Sequence, residues 1–143
     1  MTEETKPAQR PILQRVVSEG IAHIRKQRGP ALEGPVCKYR TTHGRSCFIG
    51  GLIKDEYYNV DLERQKVTSE EVSDALIASG YNIDWDVYER LGTLQAELHD
   101  EVGADVSIGL DHPHYEAQWM IAFEKRAERW CTRNGFAFPV NPL

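Results

Sequence analysis

The residues able to do chemistry fall into three clusters. Cys37, His43 and Cys47 stand in the order C-x5-H-x3-C. Thiolate and imidazole are zinc ligands, but the usual paired knuckles set their ligands two to four residues apart, and this spacing does not match them. A fourth ligand would have to come from His99 or His112. A nucleophilic role for either thiol needs a nearby base or a helix N-terminus to lower its pKa. Arg40 and Arg45 are close in sequence, yet period-2 alternation points them away. His99-Asp100 places a base beside a carboxylate, but helix neighbours diverge by about 100°, so no dyad is expected. Near a helix C-terminus, His99 would suit the dipole. Asp111-His112-Pro113-His114 is the densest run of possible ligands, and it sits where a helix starts, with Asp111 as a plausible cap. The metal-ligand candidates are therefore Cys37, His43, Cys47, His112 and His114. No phosphate loop, dinucleotide fingerprint, His-Glu-x-x-His or Gly-x-Ser-x-Gly occurs, so no catalytic residue is assigned and no cofactor is expected.

These residues must be positioned by a few clear elements. Ile12, Leu13, Val16, Val17, Ile21 and Ile24 recur at three- and four-residue steps, predicting a helix from about Pro11 to Arg28 that Gly29-Pro30 stops. Gly20 lies inside it, where glycine costs about 1 kcal/mol relative to alanine. The runs 36–40 and 46–50 flank a glycine-containing centre and predict a β-hairpin. Alternation turns Cys37, Tyr39, Cys47 and Ile49 inward and leaves Lys38, Arg40 and Arg45 to solvent or a ligand. Thr68-Ser69-Glu70-Glu71 reads as a capping box for a helix burying Val72, Leu76 and Ile77 and ending at Gly80. Asp84 caps the next helix, whose apolar side is Val87, Leu91, Leu94, Leu98 and Val102, with Gly103 at its end. A loop follows to Pro113. The last helix, about His114 to Arg133, buries Tyr115, Trp119, Phe123, Ala127 and Trp130. The expected fold is α+β and predominantly α, about four helices packed with one β-hairpin. A flexible tail over 1–10 would precede a single globular domain over 11–143.

Bulk properties bound the function. At 143 residues, with 41% hydrophobic and 27% charged residues, the chain can bury a core without disulfides or metals. Three cysteines and no secretory signal at the start argue for reduced thiols in a cytosol. No run approaches the about 18 apolar residues of a membrane span, so no membrane partner is expected. The net charge of −5 is unevenly spread. Residues 1–47 carry nine Lys/Arg against four Asp/Glu, and residues 55–111 carry three against fifteen. The basic third, with Tyr39 available for stacking, raises direct nucleic-acid binding, which the overall acidity and the lack of any helix-turn-helix pattern disfavour.

The stretch Cys37-Lys38-Tyr39-Arg40 … Cys47-Phe48-Ile49-Gly50-Gly51-Leu52-Ile53, with Asp55-Glu56-Tyr57-Tyr58 after it, resembles small uncharacterised proteins of bacteriophages and prophages. Their pattern is C-x-Y-R, a short turn, then C-x-[IV]-G-x-L-I. Leu91 … Leu94-Gln95 … Leu98-His99-Asp100 is similar to a second motif of theirs, and Trp119 falls in the expected final helix. The resemblance spans roughly residues 12–135, and the long loop 103–113 departs from it. It implies a cytoplasmic protein of a bacterium or an infected host cell and carries over no catalytic role. The expected function is a small protein-binding accessory factor, with a host protein or defence complex, or a phage protein, as partner. The alternative is a small-ligand or metal-binding enzyme using the hairpin and the His99 region. Lys38, Tyr39, Arg40, Arg45, His99 and Asp100 form the candidate binding surface. Oligomeric state is left open.

Overall fold

The described residues, 10–140 of a computed structural model, open with an amphipathic helix α1, Arg10–Gln27. The tail expected over 1–10 lies outside the described residues, Arg10 excepted. Leu13, Val16, Val17, Ile21 and Ile24 on α1 are buried, as their spacing requires. The helix closes with Arg28 in the left-handed region at φ 66°, its N–H still donating to the Ile24 carbonyl at 2.8 Å. A two-stranded antiparallel hairpin follows, β1 Leu32–Glu33 and β2 Val36–Cys37, in which Leu32 pairs with Cys37. Three short 3-10 turns (Gly50–Leu52, Asp55–Tyr57, Val60–Arg64) lead to α2, Glu70–Ala78. Helix α3, Trp85–Gln95, runs on into a π-helical turn, Ala96–Asp100, and then a 3-10 turn, Val102–Asp105. Helix α4, Tyr115–Asn134, ends on Gly135. This is a predominantly helical α+β fold of four α-helices and one small hairpin. Among the described residues no helix is long and apolar enough to cross a membrane.

One core unites these elements. The apolar sides of α3 and α4, carrying Leu91, Leu94, Leu98, Trp119, Phe123 and Trp130, meet α1 and the buried Phe48 and Ile49. Gly20 is explained by this packing. A Cβ there would press into the Phe48 ring, so the helix accepts glycine's cost to let the outer end of that ring approach α1 closely. Gly51 does the same for the His23 ring.

Three expectations are corrected. The ladder between 36–40 and 46–50 shrinks to one isolated bridge, Arg40 with Ser46, and the paired strands sit earlier, around Gly34-Pro35. Side chains have taken the backbone groups that a ladder would use. The Glu63 carboxylate accepts the N–H groups of Tyr39 and Arg40 at 3.0 and 2.9 Å, and the Gln27 amide binds both the N–H and the carbonyl of Ser46. At α2 the cap is Ser69, which accepts from the Val72 N–H at 3.2 Å, one residue later than the capping-box reading. With the helix so placed, Ile77 faces solvent at 49% exposure, whereas Val72 and Leu76 are buried as expected. The third correction concerns His99 and Asp100.

Candidate functional site

The π-helical turn builds the site. Where the Glu101 N–H reaches the Ala96 carbonyl five residues back at 2.8 Å, the turn widens and the rotation between neighbours falls. Residues five apart then share a face. Gln95 Nε2 donates to Asp100 Oδ1 at 2.8 Å, and His99 Nδ1 lies 3.0 Å from the same oxygen. The side chains of His99 and Asp100 thus meet, although α-helical geometry would hold them apart.

The histidine tautomer follows from its other partner. Nε2 lies 2.9 Å from the Ala31 N–H, which can only donate. Nε2 must therefore accept, and Nδ1 carries the proton that it gives to Asp100. The ring is buried against Trp119, centroids 5.8 Å apart. Gln95 is anchored in the same manner, its Oε1 accepting from the Ile49 N–H at 2.9 Å. Two buried backbone amides, relayed through two buried side chains, converge on one oxygen of a carboxylate whose side chain is 40% exposed.

Cys37 completes the cluster. Its sulfur, an Asp100 oxygen and a His99 ring nitrogen lie within 4.8 Å of one another, the sole group of three such ligands among the described residues. The chemistry is nevertheless not that of a metal centre or a thiolate. A cation on Nδ1 would need a histidine without its Nδ1 proton, while Nε2 stays engaged by an amide donor. That demands imidazolate or an orphaned buried N–H. Burial, with the Asp100 carboxylate beside it, pushes the Cys37 thiol up to about 12. Burial above all does the same to Cys47, also to about 12, against the weaker pull of the Gly50 N–H and with a further push from Asp100. Both thiols stay protonated at neutral pH, the opposite of what a nucleophile needs.

The other candidates are dispersed. Arg40 is held by Asp55 at 2.6 Å and by the Ile53 carbonyl at 2.5 Å, and its guanidinium lies over the Tyr58 ring. Tyr39 donates its hydroxyl to the Gln65 carbonyl. Arg45 pairs with Glu116 on α4 at 2.5 Å and reaches the Pro30 carbonyl. Lys38 lines a cleft of about 360 Å³ together with Cys37, Cys47, Glu63, Lys66 and Asp100. His43 is exposed beside the 41–45 turn. His112 and His114 lie side by side, rings 5.3 Å apart, with the His114 N–H donating to His112 Nδ1, and both are exposed. They do not meet Cys37 or Cys47 in any group of three ligands among the described residues.

Two residues that organise the region, Gln95 and Glu63, are absent from the sequence candidates. Gln95 left a signal: it interrupts the apolar stripe Leu91, Leu94, Leu98, and a polar side chain on a buried stripe must find partners. Glu63 left none, because two of its three partners are backbone groups more than twenty residues away.

A second concave surface lies on the far side of Gln65. Tyr57, Leu62, Ala75 and Ala78 line a groove of about 420 Å³ with the carboxylates of Asp61, Glu71 and Asp74, and no basic residue lines it. Tyr57, Val60 and Ile77 are exposed apolar side chains of the same segments. No family model matches this chain, and no curated protein or solved structure is similar to it.

Proposed function

We propose that this chain is a small, non-catalytic protein-binding factor of phage or prophage origin that engages a basic partner, such as a host protein or defence complex, through its acidic groove. The observation that carries this reading is the groove itself. Three exposed carboxylates rim an apolar floor, and Tyr57, Val60 and Ile77 add apolar area beside it. Residues 55–78 hold seven Asp/Glu against two Lys/Arg, a field that steers a cationic partner into place. Exposed apolar side chains near these carboxylates supply the desolvation energy that charge alone does not.

The competing classes lose their residues. An enzyme built on Arg40 and His99 would need them accessible, and both are engaged inside the fold. A nucleic-acid surface on the basic N-terminal third would have to draw its cations away from existing partners, since Arg15, Arg25, Arg40 and Arg45 are paired with carboxylates. Phage origin rests on the resemblance of the 37–58 stretch and the Leu91–Asp100 motif.

The test compares wild type with Asp61→Lys/Glu71→Lys/Asp74→Lys as baits in bacterial lysate, followed by reconstitution with each purified prey. The expected result is a stoichiometric complex with a basic protein, weakened by added salt and abolished in the triple variant. A partner retained equally by both baits, or none retained by wild type, overturns the reading.

A further inference from the structure

Asp100 is held as though its orientation matters. His99 and Gln95 are buried polar side chains, and each offers its donor to the Oδ1 atom of a carboxylate that remains part-exposed. A purely structural acid in this position could turn to water. Here two relays reaching back to the Ala31 and Ile49 amides fix it. A carboxylate has about four lone-pair sites, and the two donors on Oδ1 with the weak Cys37 thiol leave acceptor capacity unused. Asp100 forms part of the walls of two clefts, of about 360 and 250 Å³, with Cys37 between them.

The larger cleft carries the complementary charge. Lys38 and Lys66 line it, and neither makes an ion pair among the described residues. Thr68, relieved of capping α2 by Ser69, adds a hydroxyl. Glu63, the other acid in the cleft, has both oxygens engaged, Oε1 by the Tyr39 N–H and Oε2 by the Arg40 N–H and the Tyr58 hydroxyl, whereas His99 and Gln95 both fall on Oδ1 of Asp100. Of the two acids, Asp100 is the one open to a guest.

We propose that the cleft binds a small zwitterion, with its ammonium or guanidinium group on Asp100 and its carboxylate on Lys38 and Lys66. The volume suits a guest of amino-acid size, and an oriented carboxylate opposite unpaired lysines is the kind of convergent polar set that gives small-molecule sites their specificity. This site is separate from the acidic groove and stands without it.

The experiment is a ¹H–¹⁵N titration of the full chain with L-arginine and L-lysine, and with agmatine, which keeps the guanidinium but lacks the carboxylate. The expected result is saturable shifts at Lys38, Thr68, Gly92 and Asp100, with arginine binding more tightly than agmatine. Asp100→Asn keeps an acceptor for His99 and Gln95 but removes the charge, and weakens arginine by about tenfold or more. Lys66→Ala, at an exposed side chain, weakens arginine and does not weaken agmatine. Neither amino acid shifting these resonances by about 10 mM, where even a weak site would show, overturns the proposal. So does unaltered arginine affinity in Lys66→Ala, whatever the stability of Asp100→Asn.

Discussion

Replacing His99 by alanine tests whether the relay holds the fold. The ring is buried, and its removal strips the only partner from the Ala31 N–H, itself fully buried. An orphaned buried donor costs about 1–3 kcal/mol. The cavity left against Trp119 adds about 1–2 kcal/mol, at the low end for large-to-small changes because the imidazole is small. The expected loss is therefore about 3 kcal/mol. For a chain of this length each kcal/mol moves Tm by about 3–4 °C, so the midpoint falls by about 10 °C. Urea unfolding followed by tryptophan fluorescence measures it, with an unchanged m-value confirming that only stability has moved. Two conservative variants divide the effect. Gln places an oxygen where Nε2 stood and keeps an acceptor for Ala31, while Asn places an amide where Nδ1 stood and keeps the donor to Asp100. The Gln variant is expected to be the more stable of the two. An alanine variant melting within about 3 °C of wild type, or an Asn variant more stable than Gln, would refute the account of this histidine as a structural relay.

Other perturbations have signs that follow from the same coordinates. Gly20→Ala should destabilise by about 1–3 kcal/mol through the Phe48 ring, although helix propensity alone predicts a gain, and Phe48→Leu in the same chain should recover part of the loss. Arg28→Gly should stabilise by about 0.5–1 kcal/mol in thermal melts, because it relieves a side chain held at φ 66°. Acid should weaken the fold through His23, whose pKa is lowered chiefly by burial, against the Ser46 carbonyl bond. The unfolded chain binds the proton first, so stability falls as pH drops below about 6.5, and His23→Gln should flatten that limb. In alkali, Cys47 acts in the opposite direction. Its folded value of about 12 exceeds the usual 9.0, so stability is intact below pH 9 and declines above it, by about 1.4 kcal/mol at pH 10, and Cys47→Ala should remove that share of a slope to which Cys37 and Cys131, raised in the same direction by burial, also contribute.

The helices were legible because their signal is local. Leu13 to Ile24 on α1 and Val87 to Leu98 on α3 and its π-helical extension repeat at helical spacing, and every one of those apolar residues at the expected positions is buried. Asp84 is the N-cap that its place before the α3 pattern requires, accepting from the Val87 N–H at 3.1 Å. The hairpin was only half legible, because period-2 alternation reports which side chains turn inward and not which groups complete the backbone bonds. Tyr39, Cys47 and Ile49 are buried as alternation requires, but Cys37 is only half-buried and Phe48, on the alternate face, is fully buried, and Glu63 and Gln27, distant in sequence, decide that the arms do not zip together.

The site was hidden for a related reason. At Asp100 the α-helical angle is the wrong ruler, since a π-helical turn brings residues 95, 99 and 100 onto one carboxylate oxygen. Nothing in the local residue types announces that turn. What announces it is an imbalance: Gln95 and His99 stand on a stripe otherwise made of leucines, and buried polar groups without local partners force the backbone to find distant ones. Ala31 and Ile49 supply those partners from the connections after α1 and before α2. The same two bonds therefore tie α3 to the N-terminal half of the fold and aim Asp100 at its clefts, so stability and orientation at this carboxylate cannot be varied independently by changing His99. Only a substitution at Asp100 itself, or at the lysines across the cleft, separates them.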